Sequence, residues 1–192
     1  MKIHAMRHGE TPANAEKKIQ GHCLDLGLNE SGKDQVRKAL EQLPAGITMI
    51  ISSPLKRARE SAEIVAAYLH LPITFLDELK EKDVGNLSGK TWDEASELSG
   101  RNLREEEREG TLGFQEFGGE SLEQIKTRLL KALRGIKDRH PHEKILLVTH
   151  AGIINLMHKL FSEKKEVILP NASIHEFDID SVETILMELN QS

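Results

Sequence analysis

Short apolar runs alternate along the chain with amphipathic stretches of helical period. Ile3 and Ala5 sit in a strand predicted over residues 1–6. Residues 10–29 are polar and contain Pro12, Gly21 and Gly27, the composition of a loop with one helical turn near 13–18. Leu28, Val36, Ala39, Leu40 and Leu43 then mark one face of a helix predicted over 31–43, closed by Pro44 and Gly46. Ile47, Met49, Ile50 and Ile51 are almost uninterrupted apolar residues, which suits a strand covered on both faces. Behind them Ser53 and Pro54 predict a helix start, with Ser53 as N-cap and Pro54 in the first turn. That helix is expected to run to residue 69 with Leu55, Ala58, Ala62, Val65, Ala66 and Leu69 inward, and residues 73–76 form the next strand.

Residues 77–89 are charged and punctuated by glycine. Thr91 and Glu94 then have the spacing of a capping box, as do Ser121 and Gln124. Between the two boxes, residues 95–119 hold a charged helical patch at 101–109 with little to bury, so the region around 90–119 is expected to be a lid or insertion over the core. Leu122, Ile125, Leu129, Leu133 and Ile136 form a helical stripe after the second box, and Ile145 to Val148 repeat the buried-strand pattern. A short helix is predicted over 152–160. Alternation in 171–179 and 184–189, separated by Asp180 and Ser181, predicts a hairpin. Strands alternating with helices imply one α/β domain over residues 1–192. Its expected form is a three-layer α/β/α sandwich with a mostly parallel central sheet and an antiparallel C-terminal edge.

Composition narrows the function classes. The formal net charge of −5 argues against a general nucleic-acid or membrane-surface binder, while leaving room for a local basic pocket. No apolar run approaches the length that spans a bilayer, and the single Cys23 excludes an intrachain disulfide. Both features lead to the expectation of a cytoplasmic protein, monomeric or homodimeric, acting on a small molecule. Cys23 has no evident helix N-terminus beside it that would activate a thiol.

The candidate chemistry lies where strands end. Two predicted strands run into a histidine followed by glycine: Arg7-His8-Gly9 and Thr149-His150-Ala151-Gly152. Ligands of open α/β sheets sit outside the carboxyl ends of strands, so His8 and His150 are expected to meet there. Arg57, in the first turns of the helix after the second strand, faces the same crevice. Guanidinium groups grip phosphate oxygens bidentately, and an imidazole can act as nucleophile. A zinc site would need three or four ligands, and neither a His-x-x-x-His nor a Cys-x-x-Cys pair accompanies these histidines. His140 and His142 precede a strand at the other end. Arginines crowded on histidines repel one another unless an anion lies between them, which favours phosphate over a cation.

These residues carry a family resemblance. Arg7-His8-Gly9-Glu10-Thr11 with Asn14, Gln20-Gly21, Asp25, Leu28 and Gly32 resembles the opening of the histidine phosphatase superfamily, in its phosphoglycerate-mutase-like branch. The likeness continues through residues 52–62, through Leu79, Glu81, Gly85 and Gly89, and through Gly118-Gly119-Glu120-Ser121 and Arg128. It ends with His150, Gly152 and residues 171–174. The resemblance implies that His8 attacks phosphorus and becomes a phosphohistidine, with no metal or other cofactor. It implies that Arg7, Arg57 and His150 hold the phosphoryl oxygens, and that Glu81 protonates the leaving group and then activates water. Asn14, Thr11, Gln20 and Gly21 are the substrate contacts it implies. Glu120 either joins them, brought over the crevice by Gly118-Gly119, or simply precedes the Ser121 cap. Ser61, Ser88 and Ala151 depart from common family residues without removing a catalytic role.

Mutases of the branch carry a longer insert between the segments matching Glu81 and His150. The short insert here favours a phosphatase of small phosphomonoesters such as phosphoglycerates, sugar phosphates, ribazole phosphate or nucleotides. Lys17, Lys18, Lys80, Lys82 and Lys90 near the mouth hint at an acidic substrate, and Trp92 could flank the pocket. The alternatives are phosphoglycerate-mutase-type transfer, a protein-phosphohistidine phosphatase with a shallow cleft, and a non-catalytic phosphate-binding or regulatory protein on the same fold.

Overall fold

The computed structural model describes residues 1–162, 168–189 and 191. Thirteen strands and α-helices are described, in the order β1 Lys2–Arg7, α1 Pro12–Ala15, α2 Glu30–Ala39, β2 Met49–Ser52, α3 Lys56–Leu69, β3 Ile73–Phe75, α4 Trp92–Ser99, α5 Leu103–Glu109, α6 Leu122–Arg139, β4 Ile145–Thr149, α7 Ala151–Phe161, β5 Ile174–Asp178 and α8 Val182–Leu189.

The sheet has the order β3-β2-β4-β1-β5. β2 pairs in parallel with both β3 and β4, β4 pairs in parallel with β1, and β5 closes the edge antiparallel to β1. Successive side chains of a strand point to opposite faces, and both faces are covered. Met6, Ile50, Leu146 and Val148 pack in one apolar cluster with Val36 of α2 and Ala58, Ala62 and Val65 of α3. Their neighbours Ala5, Ile51, Ile145 and Leu147 pack in the other, with residues of α6, α7 and α8. The apolar run Ile145 to Val148 of β4 is therefore the consequence of burial on two sides, as its composition predicts. The three-layer sandwich, mostly parallel with an antiparallel edge, is the fold observed.

Three local expectations are corrected. The predicted hairpin does not form: residues 182–189 are the helix α8, and β5 takes β1 as its antiparallel partner. Val182 and Leu186 are buried, with Ile185 and Leu189 partly buried beside them. Those positions make a 3.6-period stripe that the β-branched composition of the segment disguises. Ser53 is not the N-cap of α3, whose cap position is Leu55. Its hydroxyl instead accepts from the Leu55 N–H at 3.3 Å and meets His150, while the Asp25 carboxylate accepts from the Lys56 N–H at 2.7 Å. Finally, the region between the two capping boxes has more to bury than its charge suggests. Ala95, Leu103, Leu112 and Phe114 are all at most 2% exposed within the main cluster. Both capping boxes form as predicted.

Candidate active site

Strand register brings the histidines together. Arg7 is opposite Thr149 in the parallel β1–β4 pair, so the residue after each is delivered to the same carboxyl end. The His8 N–H donates to Thr149 O at 3.0 Å, and the imidazole rings stand 5.2 Å apart at 59°. Close backbone packing fixes the turn that follows. A methyl group on Gly9 would lie 2.4 Å from Gly32 O, so only glycine lets the α2 N-terminus approach there. The Gly9 N–H donates to Ser61 Oγ at 3.0 Å, and that hydroxyl donates to Arg57 O at 2.7 Å. Ser61 thus couples the turn to α3.

The His8 tautomer follows from one contact. Its Nδ1 lies 2.6 Å from Gly9 O, and a carbonyl oxygen can only accept, so Nδ1 carries the proton and Nε2 presents a lone pair. Burial, reinforced by the charges of Arg57 and then Arg7, holds the His8 pKa well below its ordinary value. Burial followed by Arg57 and His8 does the same to His150, whose Nε2 meets Ser53 Oγ at 2.8 Å. Both rings are neutral at pH 7.

Arg57 is 1% exposed. It donates to Gly21 O at 2.8 Å and Leu24 O at 3.3 Å, which holds the loop before α2 against α3. Arg7 donates to Leu169 O. Yet Arg7 Nε, Arg57 Nε and His150 Nδ1 are buried without a partner among the described residues. Leaving polar groups buried and unpaired costs about 1–3 kcal/mol each, more when charged. An anion accepting from them would relieve that cost.

Glu81 sits across the crevice. Its Oε1 accepts from the Lys82 N–H and its Oε2 from the Gly152 N–H, both at 3.1 Å, at the start of α7. Its loop is tied down by Thr149 Oγ1 donating to Leu79 O at 2.8 Å, and by Arg128, which donates to the carbonyls of Glu78, Lys80 and Glu81.

A cavity of about 790 Å³ opens on this cluster, a volume suited to a small-molecule ligand. Arg7, His8, Asn14, Gln20, Gly21, Arg57 and Glu81 line it. His150 lies beneath it, fully buried and in contact with the His8 ring. Asn14 Oδ1 is occupied by Thr11 and Asn171, so its amide donors are the groups left to meet a ligand. Thr11 is not brought to the wall; it caps α1 and donates to Gln20 Oε1. Glu120 is not brought there either. It pairs with Arg128 at 2.7 and 2.9 Å and accepts from the Asp83 N–H at 2.8 Å, so it braces the Glu81 loop from outside. Of the five lysines near the mouth, Lys18 and Lys82 reach the wall, together with Trp92. Cys23 is exposed and does not. Sequence reasoning missed the wall contributed by α5 and α7, namely Asn102, Arg104, Glu107 and Asn155, because nothing in the local pattern of α5 says which way it faces.

Six cationic side chains and three carboxylates line the cavity of a chain whose net charge is −5, so the field converges on the crevice as an anion trap. Among the described residues, no group of three or more His, Cys, Asp or Glu could hold a metal ion, and no helix is long and apolar enough to cross a membrane.

Fold and site together define an α/β protein with two arginines and two buried, neutral histidines gathered at strand carboxyl ends. The chain belongs to the histidine phosphatase superfamily (branch 1), whose family model matches residues 3–192. It is 38% identical over 181 residues to phosphoglycerate mutase-like protein 4 of Arabidopsis thaliana, covering 91% of this chain and 78% of that one. It is 35% identical over 153 residues to the uncharacterized phosphatase PhoE of Bacillus subtilis, with coverage of 79% and 72%. Identity to the metal-independent phosphoserine phosphatase of Arabidopsis thaliana is 32% over 185 residues, with coverage of 88% and 73%. Among solved structures, a mycobacterial glucosyl-3-phosphoglycerate phosphatase in complex with VO3 superposes with a TM-score of 0.78 at 26% identity, covering 91% of each chain. The family places the chain among proteins of phosphoryl transfer and phosphate-ester hydrolysis.

Proposed function

We propose that the protein is a phosphatase of small phosphomonoesters that works through a phosphohistidine on His8. The observation that carries this is the pairing of a free Nε2 on a neutral His8 with buried guanidinium donors on Arg7 and Arg57 that lack a partner among the described residues. In the first step Nε2 bonds to phosphorus as the ester P–O bond breaks, and the Glu81 carboxyl gives its proton to the departing alkoxide. In the second step water attacks the phosphohistidine, Glu81 takes a proton from it, the P–N bond breaks, and inorganic phosphate leaves. Arg7 and Arg57 neutralise charge on the phosphoryl oxygens in both steps, and the neutral His150 ring stabilises them by hydrogen bonding. Asn14 binds an oxygen of the substrate, and the rest of the cavity receives the alcohol. Relatives named as phosphatases support hydrolysis, and the short insert leaves the phosphohistidine open to water.

The test is a panel of phosphoglycerates, phosphoserine, sugar phosphates and nucleotides, assayed for phosphate release with EDTA present. Release undiminished by the chelator is expected. No release from any ester would overturn the reading, and isomerisation of 3-phosphoglycerate without net release would replace it with the mutase reading.

A further inference from the structure

Glu81 has an unusual electrostatic setting for a residue set among cations. Among the described residues it makes no ion pair, and its carboxylate accepts only two backbone N–H groups. Two cations on its own loop and brace are each taken by another carboxylate, and one of them is close: a methyl group on Gly152 would lie 2.5 Å from Glu81 Oε1 and 3.0 Å from Lys82 Cε. Arg128, bonded to the Glu81 carbonyl, is paired with Glu120. Lys82, the next residue, is 3% exposed, and its ammonium is held by both oxygens of Glu107 at 2.7 and 2.9 Å. Glu107 comes from α5, and its own carbonyl accepts from Asn155 Nδ2 of α7 at 3.2 Å. One residue therefore ties the helix over the cavity both to the acid's loop and to the helix that begins at His150.

A proton donor must reach the transition state still carrying its proton, and an uncompensated ammonium nearby favours the carboxylate instead. Arg7 and Arg57 also act on Glu81 through space, but the substrate phosphate neutralises them when it binds. The Lys82 ammonium is instead held by Glu107. We propose that Glu107 is a positioning residue for the proton-donating step: by neutralising the buried Lys82 ammonium it leaves Glu81 able to arrive protonated. The role rests on the phosphatase reading above and on no direct contact between Glu107 and the phosphate. Burial pushes the Glu107 carboxyl up from its ordinary value, Lys82 pulls it down, and Glu81 pushes it up, so the three groups form one electrostatic unit.

The experiment compares two leaving groups in wild type, E107Q and K82M/E107Q. The probes are the alkyl phosphate of the panel released fastest and 4-nitrophenyl phosphate, whose phenolate departs without a proton. For E107Q, kcat/KM on the alkyl ester is expected to fall about tenfold more than on the aryl ester, a fraction of the ~10²–10⁴ that general acid catalysis supplies. K82M/E107Q, which removes the ammonium as well, is expected to return the alkyl-to-aryl ratio to the wild-type value. Equal loss on both esters, or a ratio that K82M/E107Q does not restore, would overturn the role of Glu107 and leave the phosphatase reading standing. If wild type releases phosphate from neither probe, the phosphatase reading itself fails. Where E107Q is too unstable to assay, K82M carries the test: a ratio at or above wild type supports the proposal, and a lowered one overturns it.

Discussion

The Glu81 carboxylate rests on the α-carbon of Gly152: a methyl group built there would come within 2.5 Å of Oε1, while the Gly152 N–H donates to Oε2 at 3.1 Å. The glycine two residues after the second histidine is thus a seat for the Glu81 carboxylate. Gly152→Ala is expected to displace the Glu81 carboxylate and lower kcat/KM on alkyl phosphates by about tenfold or more, with 4-nitrophenyl phosphate less affected. Steady-state kinetics on the two esters check this. Equal activity of the variant on alkyl esters would mean that Glu81 is not held there during turnover.

His8→Ala removes the only group proposed to bond phosphorus. Rapid quench with radiolabelled substrate is expected to trap an acid-labile, base-stable phosphoenzyme in the wild type and none in the variant, with kcat lower by at least about a thousandfold. Label retained by the variant would place the nucleophile elsewhere.

His8 and His150 are buried in the neutral form, with folded pKa values well below the ordinary 6.5. Below pH 6.5 the unfolded chain therefore binds protons that the folded chain does not. Their contribution to stability is complete above pH 6.5 and is lost as the pH falls from there towards the folded pKa values. Thermal unfolding in phosphate-free buffer is expected to show Tm declining from pH 6.5 to pH 5. The decline should be smaller in a variant carrying His8→Asn. Identical slopes in the two proteins would show that His8 is not the buried neutral group.

The unpartnered Arg7 Nε, Arg57 Nε and His150 Nδ1 should bind inorganic phosphate. At a hundredfold excess over Kd the gain is about 2.7 kcal/mol, which raises Tm by roughly 5–10 °C for a chain of this size. Arg57→Ala should remove the response, and calorimetric titration should show its binding lost.

Phe114 is fully buried within the main apolar cluster and also lines the cavity. Phe114→Ala is expected to cost about 3–5 kcal/mol of stability, measured by urea unfolding. A change near zero would mean that residues 95–119 lie on the core without contributing to it.

Much was legible from local pattern. Runs such as Ile145 to Val148 announce strands buried on two faces because no polar side chain interrupts them, and Thr91–Glu94 and Ser121–Gln124 announce helix starts because their side chains satisfy local N–H groups. The placement of His8 and His150 at strand ends and of Arg57 early in α3 followed from the same patterns, whereas Glu81 stood out from its charged neighbours only through the family resemblance. Helix α8 was not, since β-branched residues suit either period and only the surface of α6 selects the stripe through Val182 and Leu186. Glu120 and Glu107 show the same limit within the site. Both are acidic residues of a charged segment, and nothing local distinguishes a substrate contact from a brace on Arg128 or a partner for Lys82.

By itself, then, the sequence determined most of the strands and helices, the three-layer class, and the residue types available for phosphoryl chemistry, because these depend on neighbours a few positions away. Only the tertiary structure decided the β1–β4 register that sets His8 beside His150, the seat of Glu81 on Gly152, the Glu107 partner of Lys82 and the backbone carbonyls that Arg128 holds. Those are contacts between segments tens of residues apart, fixed by packing and by the need to pair buried charge.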